Sequence, residues 1–249
     1  MLRAGIVKHL NARPLTYGIE NRKDIEVFYE NPSVLKEELL KGNLDFALIS
    51  SVECLRNKDR LAYSLSTGVC ARERVRSILF YHNKKEGFPK NTILVDQGSR
   101  SSVALLRILH AEEYGSLPET ISTEPKLIQR KILENDGSHL LFGDNALEAK
   151  FDPEAYEVID LASWWNRFTK KHFCFALWAY PKERPIDEEI FYKSLEFGLT
   201  HLEEIIRKET RFSYDITSTY LKNELHYVLD TKDKEGFAHF AKLCEKWGV

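Results

Sequence analysis

Short apolar segments alternate with helix-forming segments along most of this chain, and this alternation is the feature that most limits its fold. The runs at 4–7, 45–49 and 92–96 are typical of buried strands, whereas 34–41 and 103–114 have the periodicity of helices. Strands that alternate with helices favour a mostly parallel sheet with right-handed crossover connections. The sequence therefore predicts an α/β protein.

The same patterns predict further elements. The additional strands are expected at 25–29, 61–69, 75–82, 139–142 and 173–180. The additional helices are expected at 14–19, 125–133, 164–170 and 190–208, and the chain beyond the last strand is expected to be largely helical. A second α/β unit is expected to start near Pro89, because a new strand pattern begins there.

Small polar residues stand where three of the predicted strands end. Asn11 follows the first strand, Ser50 and Ser51 follow the next buried strand, and the segment 98–102 (GSRSS) opens the first helix of the second unit. In open α/β folds, ligands bind at the carboxyl ends of strands, where helix N-termini present backbone amides to anions. The pattern indicates one crevice for carboxylates or phosphates, fed by two α/β units. The alternative for Asn11 is that it simply N-caps a helix.

Composition and charge argue against several classes of function. A formal net charge of −2 disfavours a nucleic-acid-binding protein, which would carry a basic surface. The apolar runs are far shorter than the ~20 residues that cross a bilayer, and no secretory leader is expected, because residues 1–3 run directly into the first predicted strand. A cytoplasmic protein without a membrane partner is therefore expected. The four cysteines are widely spaced, which indicates reduced core residues rather than a metal or redox site.

Six motifs, in this order, resemble the chorismate dehydratase family of the futalosine route to menaquinone. They are LNARPLTYG at 10–18, GNLDFALISSVECLRN at 42–57, GVCARERVRSILFY at 68–81, GSRSSVALLRILH at 98–110, LLFGDNAL at 140–147 and IDLASWWNRFTKKHFCFALWAY at 159–180. The resemblance implies a two-lobed, type II periplasmic-binding-protein-like fold with a central ligand cleft. It also implies a discontinuous lobe I, residues 1–82 plus 178–249, and a lobe II, residues 83–177.

Two segments depart from the pattern of that family. Residues 71–74 stand where a small turn with glycine or serine is usual, and residues 8–10 (KHL) stand where an aspartate–tyrosine pair is usual. Arg72, Arg74 and Arg76 alternate, so on a strand they would share one face, toward either a ligand or solvent. Both segments are expected near the substrate.

The activity that the resemblance implies is loss of water from chorismate, a small dianion, to give 3-[(1-carboxyvinyl)oxy]benzoate. Aromatisation drives this elimination, which needs positioning, stabilisation of developing negative charge and protonation of the leaving hydroxyl. No metal and no organic cofactor are expected. The motifs offer no evident carboxylate base, so the substrate's own enolpyruvyl carboxylate is expected to take the ring proton.

Asn11 and Ser77 are the expected catalytic residues, because they match polar positions of the family and offer donors to a developing oxyanion. The expected substrate-binding residues are Arg13, Ser50, Ser51, Ser99, Arg100, Ser101, Ser102 and Asp144. Structural alternatives remain open for several of them. Ser77 would then be a strand serine bonded to backbone, residues 99–102 a plain helix start, and Asp144 a helix cap, while His9 is either structural or an acid–base group.

Two other functions remain open at this stage. One is the step that forms dihydroxynaphthoate in the same pathway, on the same scaffold. The other is a non-catalytic cytoplasmic protein that binds small anions, which is the common use of this fold. Turnover of chorismate would separate both alternatives from a chorismate dehydratase.

Overall fold

A computed structural model of the chain describes residues 1–87 and 92–249. The expected start of the second unit near Pro89 lies outside the described residues. Within those ranges, no helix combines the length and the apolar character needed to cross a bilayer. All four cysteines are described, and each is buried and unbridged.

The chain divides into two compact units, each assembled from two stretches of sequence. The first unit comprises Met1–Ala71 and Cys174–Lys234, and the second comprises Arg72–Phe173 and Glu235–Val249. The expected lobes differ from these units in three segments. Residues 72–82 and 235–249 were expected in lobe I but belong to the second unit, and residues 174–177 were expected in lobe II but belong to the first. The difference at 72–82 arises because the strand that starts at Ile78 pairs within the sheet of the second unit.

The described residues form eleven strands and eleven α-helices. The strands are β1 (Leu2–Ile6), β2 (Ile25–Tyr29), β3 (Phe46–Ser50), β4 (Leu61–Ala71), β5 (Ile78–Asn83), β6 (Thr92–Asp96), β7 (Glu119–Thr123), β8 (His139–Phe142), β9 (Tyr156–Asp160), β10 (Phe173–Pro181) and β11 (Leu225–Val228). The helices are α1 (Arg13–Glu20), α2 (Pro32–Leu40), α3 (Ser51–Arg56), α4 (Ser101–Tyr114), α5 (Pro125–Leu133), α6 (Gly143–Glu148), α7 (Leu161–Thr169), α8 (Glu189–Thr200), α9 (Leu202–Lys208), α10 (Tyr214–Thr219) and α11 (Thr231–Trp247). A 3-10 turn (Leu10–Ala12) precedes α1, and a π-helical turn (Tyr220–Glu224) precedes β11.

The first unit is built on a six-stranded sheet with the strand order β11-β4-β10-β3-β1-β2. β1 pairs in parallel with β2 and β3, whereas β10 is antiparallel to β3 and β11 is antiparallel to β4. Every residue of β3 is buried, because this strand lies inside the sheet and α2 packs against it. A strand buried on both faces reads as a continuous apolar run, which is why the sequence shows it clearly.

The second unit is built on a five-stranded sheet with the strand order β7-β6-β8-β5-β9. β6 pairs in parallel with β7 and β8, whereas β5 is antiparallel to both β8 and β9. One core cluster of this unit packs Tyr81 of β5 and Leu141 of β8 against Ile128 and Ile132 of α5 and Tyr156 of β9. Helix α5 is therefore held to the sheet by its apolar face.

Both sheets are mixed, so the prediction of a mostly parallel sheet was wrong. Parallel neighbours are joined by a crossover of about a dozen residues or more. The short segment 72–77 instead joins β4 of the first sheet to β5 of the second, so no such crossover precedes β5. Strands β5 and β10 begin where the chain enters a new unit, and both run antiparallel to a neighbour there.

Other differences from the predicted elements are local. Strands β7, β9 and β11 were not predicted individually, because they are short and partly exposed. The helix expected at 190–208 divides at His201, whose backbone leaves the helical region and whose ring Nδ1 lies 2.8 Å from the Phe197 carbonyl oxygen. Arg72, Arg74 and Arg76 lie between β4 and β5, so the expectation of a shared strand face does not apply.

Helix α1 is fixed to α8 by unusually close backbone contact. The Ser194 hydroxyl donates to the Leu15 carbonyl oxygen at 2.6 Å and accepts the Ile19 amide at 2.9 Å. A Cβ at Gly18 would lie 2.5 Å from the Ser194 Cα, and a Cβ at Gly198 would lie 2.0 Å from the Pro14 carbonyl oxygen. Only glycine permits this approach, which sets the position of α1 and of the turn before it.

We expect the substitution Gly198→Ala to lower the free energy of unfolding by about 1–3 kcal/mol, because the added methyl group forces α1 and α8 apart. Gly87→Ala is the matched control, since a Cβ there meets nothing within 4 Å. Urea unfolding of both variants measures the difference. Equal stability of the two variants would contradict the close contact between the helices.

Candidate functional site

The first sheet brings two of the predicted polar strand ends to one edge. β1 and β3 are parallel neighbours, with Gly5 opposite Ala47, so their carboxyl ends lie at the same edge. The chain continues from β1 through the turn that holds Asn11, and from β3 directly through Ser50 into α3. Asn11 and Ser50 therefore belong to the edge where ligands bind in open α/β folds.

Asn11 does not cap a helix. The N-cap of α1 is Ala12 and the N-cap of the preceding turn is His9, and neither helix end has a side-chain cap bond. The Asn11 side chain is partly buried, and among the described residues it forms no hydrogen bond. The N-cap alternative for Asn11 is therefore wrong, and the amide remains available to a ligand at this edge.

Ser50 and Ser51 differ in what their hydroxyls can do. The Ser51 hydroxyl is fully buried and donates to the Cys174 carbonyl oxygen of β10 at 2.7 Å. A hydroxyl has one proton, so in this arrangement Ser51 cannot also donate to a substrate carboxylate. Ser50 is 7% exposed and makes no cap bond to α3. Of the two serines, Ser50 is the better placed donor.

Arg13 is engaged by a carboxylate of its own helix. Its Nη1 donates to both carboxylate oxygens of Glu20 at 2.6 and 2.8 Å, and the Thr16 hydroxyl donates to the same carboxylate. Arg13, Tyr17 and Glu20 line a cavity of about 480 Å³ within the first unit, and Asn11 is not among its described lining residues. A substrate carboxylate at Arg13 would have to displace Glu20.

The second sheet also gathers its polar strand ends at one edge. β6 and β8 are parallel, so Asp96 and Phe142 end at the same side of the sheet. β5 is antiparallel to β8, with Ile78 opposite Phe142, so β5 begins at that same side. Ser77 directly precedes β5, so it lies at the same edge of the sheet as the carboxyl ends of β6 and β8.

Ser77 lies in a tight turn rather than in a strand, so the strand alternative does not hold. Its amide donates to the Val75 carbonyl oxygen at 2.5 Å, and its own carbonyl oxygen accepts the Gly143 amide at 2.6 Å. Arg76, at the centre of the turn, has a φ of 40°. This left-handed conformation is costly for a residue with a Cβ, by about 1–3 kcal/mol, and such strain is often found at functional sites.

The segment 99–102 places buried serines at the start of a long helix. Ser99, Ser101 and Ser102 are buried, whereas Arg100 is exposed and makes no cap bond. The first helical hydrogen bond runs from the Ala104 amide to the Arg100 carbonyl oxygen. A helix start without a side-chain cap leaves its first amides directed outward along the axis, where an anion is stabilised. The plain capping alternative is not supported here.

Asp144 occupies the first turn of the short helix α6, with Phe142 as the N-cap. Its side chain is partly buried. A carboxylate in a first turn is stabilised by the helix dipole. This position is compatible with both roles expected of Asp144, ligand contact and stabilisation of the helix start.

Asp96 is a buried carboxyl group at this edge that the sequence analysis did not single out. It is 1% exposed, and it accepts the Gly98 amide and the Asn145 side-chain amide, each at 3.0 Å. Burial raises the pKa of Asp96, and the hydrogen bonds from Gly98 and Asn145 oppose this rise only in part. Its place at the end of a buried strand, immediately before a Gln-Gly-Ser turn, was the available signal.

In the first unit, the described side chains of His226, Asp230 and Asp233 lie close together and are of types that can bind metals. Both carboxylate oxygens of Asp233 lie 2.8 Å from His226 Nε2, and one of them also accepts the Asp230 amide. The Asp230 carboxylate in turn accepts the Asp233 amide at 3.0 Å. This reciprocal arrangement of Asp230 and Asp233 is a capping box at the start of α11.

We expect the substitution Asp96→Asn to change the pH dependence of stability. A raised pKa in the folded state means that stability falls as pH rises from the ordinary aspartate range near about 4 through the raised pKa. The asparagine variant lacks this loss, so its free energy of unfolding rises relative to that of the parent protein as pH rises. Urea unfolding between acid and neutral pH measures the difference.

Asp136→Asn serves as the control of opposite sign. The hydrogen bond from Lys131 lowers the pKa of Asp136, so the parent protein loses that contribution as pH falls. The free energy of unfolding of Asp136→Asn should therefore fall relative to that of the parent protein as pH rises. A stability difference for Asp96→Asn that does not vary with pH would contradict a raised pKa at Asp96.

Solved structures of known fold resemble this chain. The periplasmic aliphatic sulphonate binding protein SsuA of Escherichia coli superposes with a TM-score of 0.64 at 12% identity, over 98% of this chain and 91% of SsuA. At this identity the likeness concerns the fold alone. It confirms the expected α/β fold of the periplasmic-binding-protein type.

Curated relatives match the chain along nearly its whole length. A chorismate dehydratase of Thermus thermophilus is 28% identical over 260 aligned positions, which cover 96% of this chain and 93% of the relative. A chorismate dehydratase of Campylobacter jejuni is 26% identical, over 97% of this chain and 96% of the relative. A family model described as menaquinone biosynthesis matches residues 2–246. The resemblance indicated by the six motifs is thereby confirmed, and this chain belongs to the menaquinone biosynthesis family.

Proposed function

We propose that this protein is a chorismate dehydratase, a carbon–oxygen lyase that acts on chorismate in menaquinone formation. The observation that carries the proposal is the near full-length similarity to two proteins of that activity. The edge of each sheet, taken by itself, carries hydrogen-bond donors of the kind that a dianionic substrate needs, which supports the proposal. The proposal includes the futalosine route and a cytoplasmic location.

The proposed reaction removes one water molecule. The ring carbon that bears the enolpyruvyl ether loses its proton, the neighbouring carbon loses its hydroxyl group, and the ring becomes aromatic. The electron pair of the breaking C–H bond enters the ring as the C–O bond breaks, and the departing hydroxide takes up the proton lost from the ring carbon, so that one water leaves. Catalysis therefore requires positioning, stabilisation of the developing charge and delivery of that proton to the leaving hydroxyl.

In the first unit, we assign the amide of Asn11 the role of donor to developing negative charge. Asparagine donates through its NH₂ group and is not a base, so its role is stabilisation rather than proton removal. The lack of a protein partner for this amide, among the residues described, supports the assignment. Ser50 is the accompanying donor to a substrate carboxylate, and Arg13 contributes only if Glu20 releases it.

In the second unit, Ser77 is the proposed catalytic residue. The amides at the start of α4 and the exposed Arg100 are the proposed contacts for a substrate carboxylate, with the serines at 99–102 around them. Asp144 stands beside Gly143, whose amide holds the Ser77 carbonyl. The position of each group at the edge of the second sheet supports these roles.

The proposed proton acceptor is the enolpyruvyl carboxylate of the substrate itself. Asp96 is the protein group whose raised pKa would suit a base, but both its oxygens are engaged by Gly98 and Asn145. If Asp96→Asn alone abolished turnover while chorismate still bound, proton removal by the substrate would be the wrong assignment.

Incubation of the protein with chorismate tests the proposed function. We expect the ¹H NMR spectrum to show a meta-substituted aromatic product and mass spectrometry to show the loss of one water. Binding of chorismate without any product would favour the non-catalytic alternative. Absence of both binding and turnover would favour the step that forms dihydroxynaphthoate from a different substrate.

The substitution Asn11→Ala should lower kcat at least about tenfold, because one donor to developing charge is typically worth about 3 kcal/mol in the transition state. Asn223→Ala is the matched control: Asn223 is exposed in the turn before β11. Steady-state kinetics and melting temperatures of both variants make the comparison. Equal kcat values for the two variants would remove Asn11 from catalysis.

The adjacent serines offer a second comparison. Ser51→Ala should lower the free energy of unfolding by about 1–2 kcal/mol, since it removes a buried hydrogen bond to the Cys174 carbonyl. Ser50→Ala should instead raise KM for chorismate with little change in stability. Kinetics and urea unfolding of both variants distinguish the two roles, and the opposite pattern would exchange them.

A further inference from the structure

The carboxylate of Asp160 holds the turn that contains Ser77. Its Oδ2 accepts the Val75 amide at 2.9 Å and the Arg76 amide at 2.8 Å. Its Oδ1 accepts the Ser163 amide at 3.0 Å and thereby caps α7. One side chain thus binds the end of β9, the start of α7 and the turn before β5.

The turn needs such a support because its backbone is strained. Arg76 adopts a φ of 40°, which a residue with a Cβ avoids unless its surroundings enforce it. Two charge-assisted hydrogen bonds to consecutive amides, at 75 and 76, fix the orientation of both peptide units. The Ser77 amide donates to the Val75 carbonyl oxygen at 2.5 Å, which belongs to one of these two peptide units, so the backbone that leads into Ser77 is tied to the same support.

The far side of Ser77 is held independently. Its carbonyl oxygen accepts the Gly143 amide at 2.6 Å, and β5 begins at the next residue. The position of Ser77 therefore depends on two anchors, the Asp160 carboxylate before it and the Gly143 amide after it. Asp160 is the anchor that a side-chain substitution can remove.

We infer that Asp160 is a positioning residue for Ser77, acting through the strained turn at 75–77. The inference rests on the proposed function for the reaction in which Ser77 takes part. Asp160 has no assigned contact with the substrate. Its predicted effect is on how well Ser77 is aligned, which appears in kcat more than in KM.

The variant Asp160→Ser separates the two tasks of this side chain. Serine is a good N-cap and still accepts the Ser163 amide, but it is too short to reach the amides at 75 and 76. Ser213→Ala is the control, because it removes an equivalent cap bond, from the Ile216 amide of α10, elsewhere in the fold. We expect kcat on chorismate to fall at least about tenfold in Asp160→Ser and to stay within about twofold in Ser213→Ala.

A second substitution tests whether the effect passes through the strained turn. Glycine adopts positive φ without a steric penalty. In the Arg76→Gly variant the turn should therefore keep its conformation with less dependence on the hydrogen bonds to Asp160. The kcat loss caused by Asp160→Ser should therefore be smaller in the Arg76→Gly background than in the parent. Equal losses in both backgrounds would overturn the inference, because the effect would then not depend on the turn.

Hydrogen exchange of the segment 73–78 gives a readout that does not need turnover. We expect faster exchange of the amides at 75 and 76 in Asp160→Ser, and unchanged exchange in Ser213→Ala. Unchanged exchange in Asp160→Ser, or faster exchange with an unaltered kcat, would overturn the inference. If the parent protein did not convert chorismate at all, the proposed function would fail, and the exchange result alone would decide whether Asp160 holds the turn.

Discussion

At one edge of the second sheet, the carboxylates of Asp96 and Asp160 accept hydrogen bonds from backbone amides of loops and helix starts, which have no partner within the sheet. Asp160 accepts three amides, and Asp96 accepts the Gly98 amide together with the side chain of Asn145. A loop amide that is removed from water costs free energy unless it finds an acceptor. The shape of this edge, and with it the position of Ser77, depends on these interactions.

The proposed substrate carries two carboxylates, and the charges at the candidate site are compatible with it. The Asp160 carboxylate is surrounded by amides, and burial raises the pKa of Asp96. Arg13, the expected cation of the first unit, is paired with Glu20. In the first unit, the proposed contacts are therefore neutral donors, the Asn11 amide and the Ser50 hydroxyl. In the second unit, they are the amides at the start of α4 and the exposed Arg100. The backbone amides among them have their direction set by the helix before the substrate binds, and such preorganised donors are what stabilisation of a transition state requires.

Much of the fold could be predicted from the sequence, because periodicity and strand-end residues are local signals. The strand at 92–96 and the helix at 125–133 have the predicted bounds. The polar residues Asn11 and Ser50 lie at strand ends of one sheet edge, as expected. The pairing directions could not be predicted, because the apolar run of an antiparallel strand such as β5 looks the same as that of a parallel one.

The sequence by itself determined the α/β class, the family and the polar character of the strand ends. Only the tertiary structure decided which of these polar groups is available. The Ser51 hydroxyl is bound by a carbonyl 123 residues away, and the turn at Ser77 is held by a carboxylate 85 residues from Val75. The physical reason is that a hydrogen-bond partner so distant in the chain leaves no mark on local periodicity and is set only when the sheets assemble.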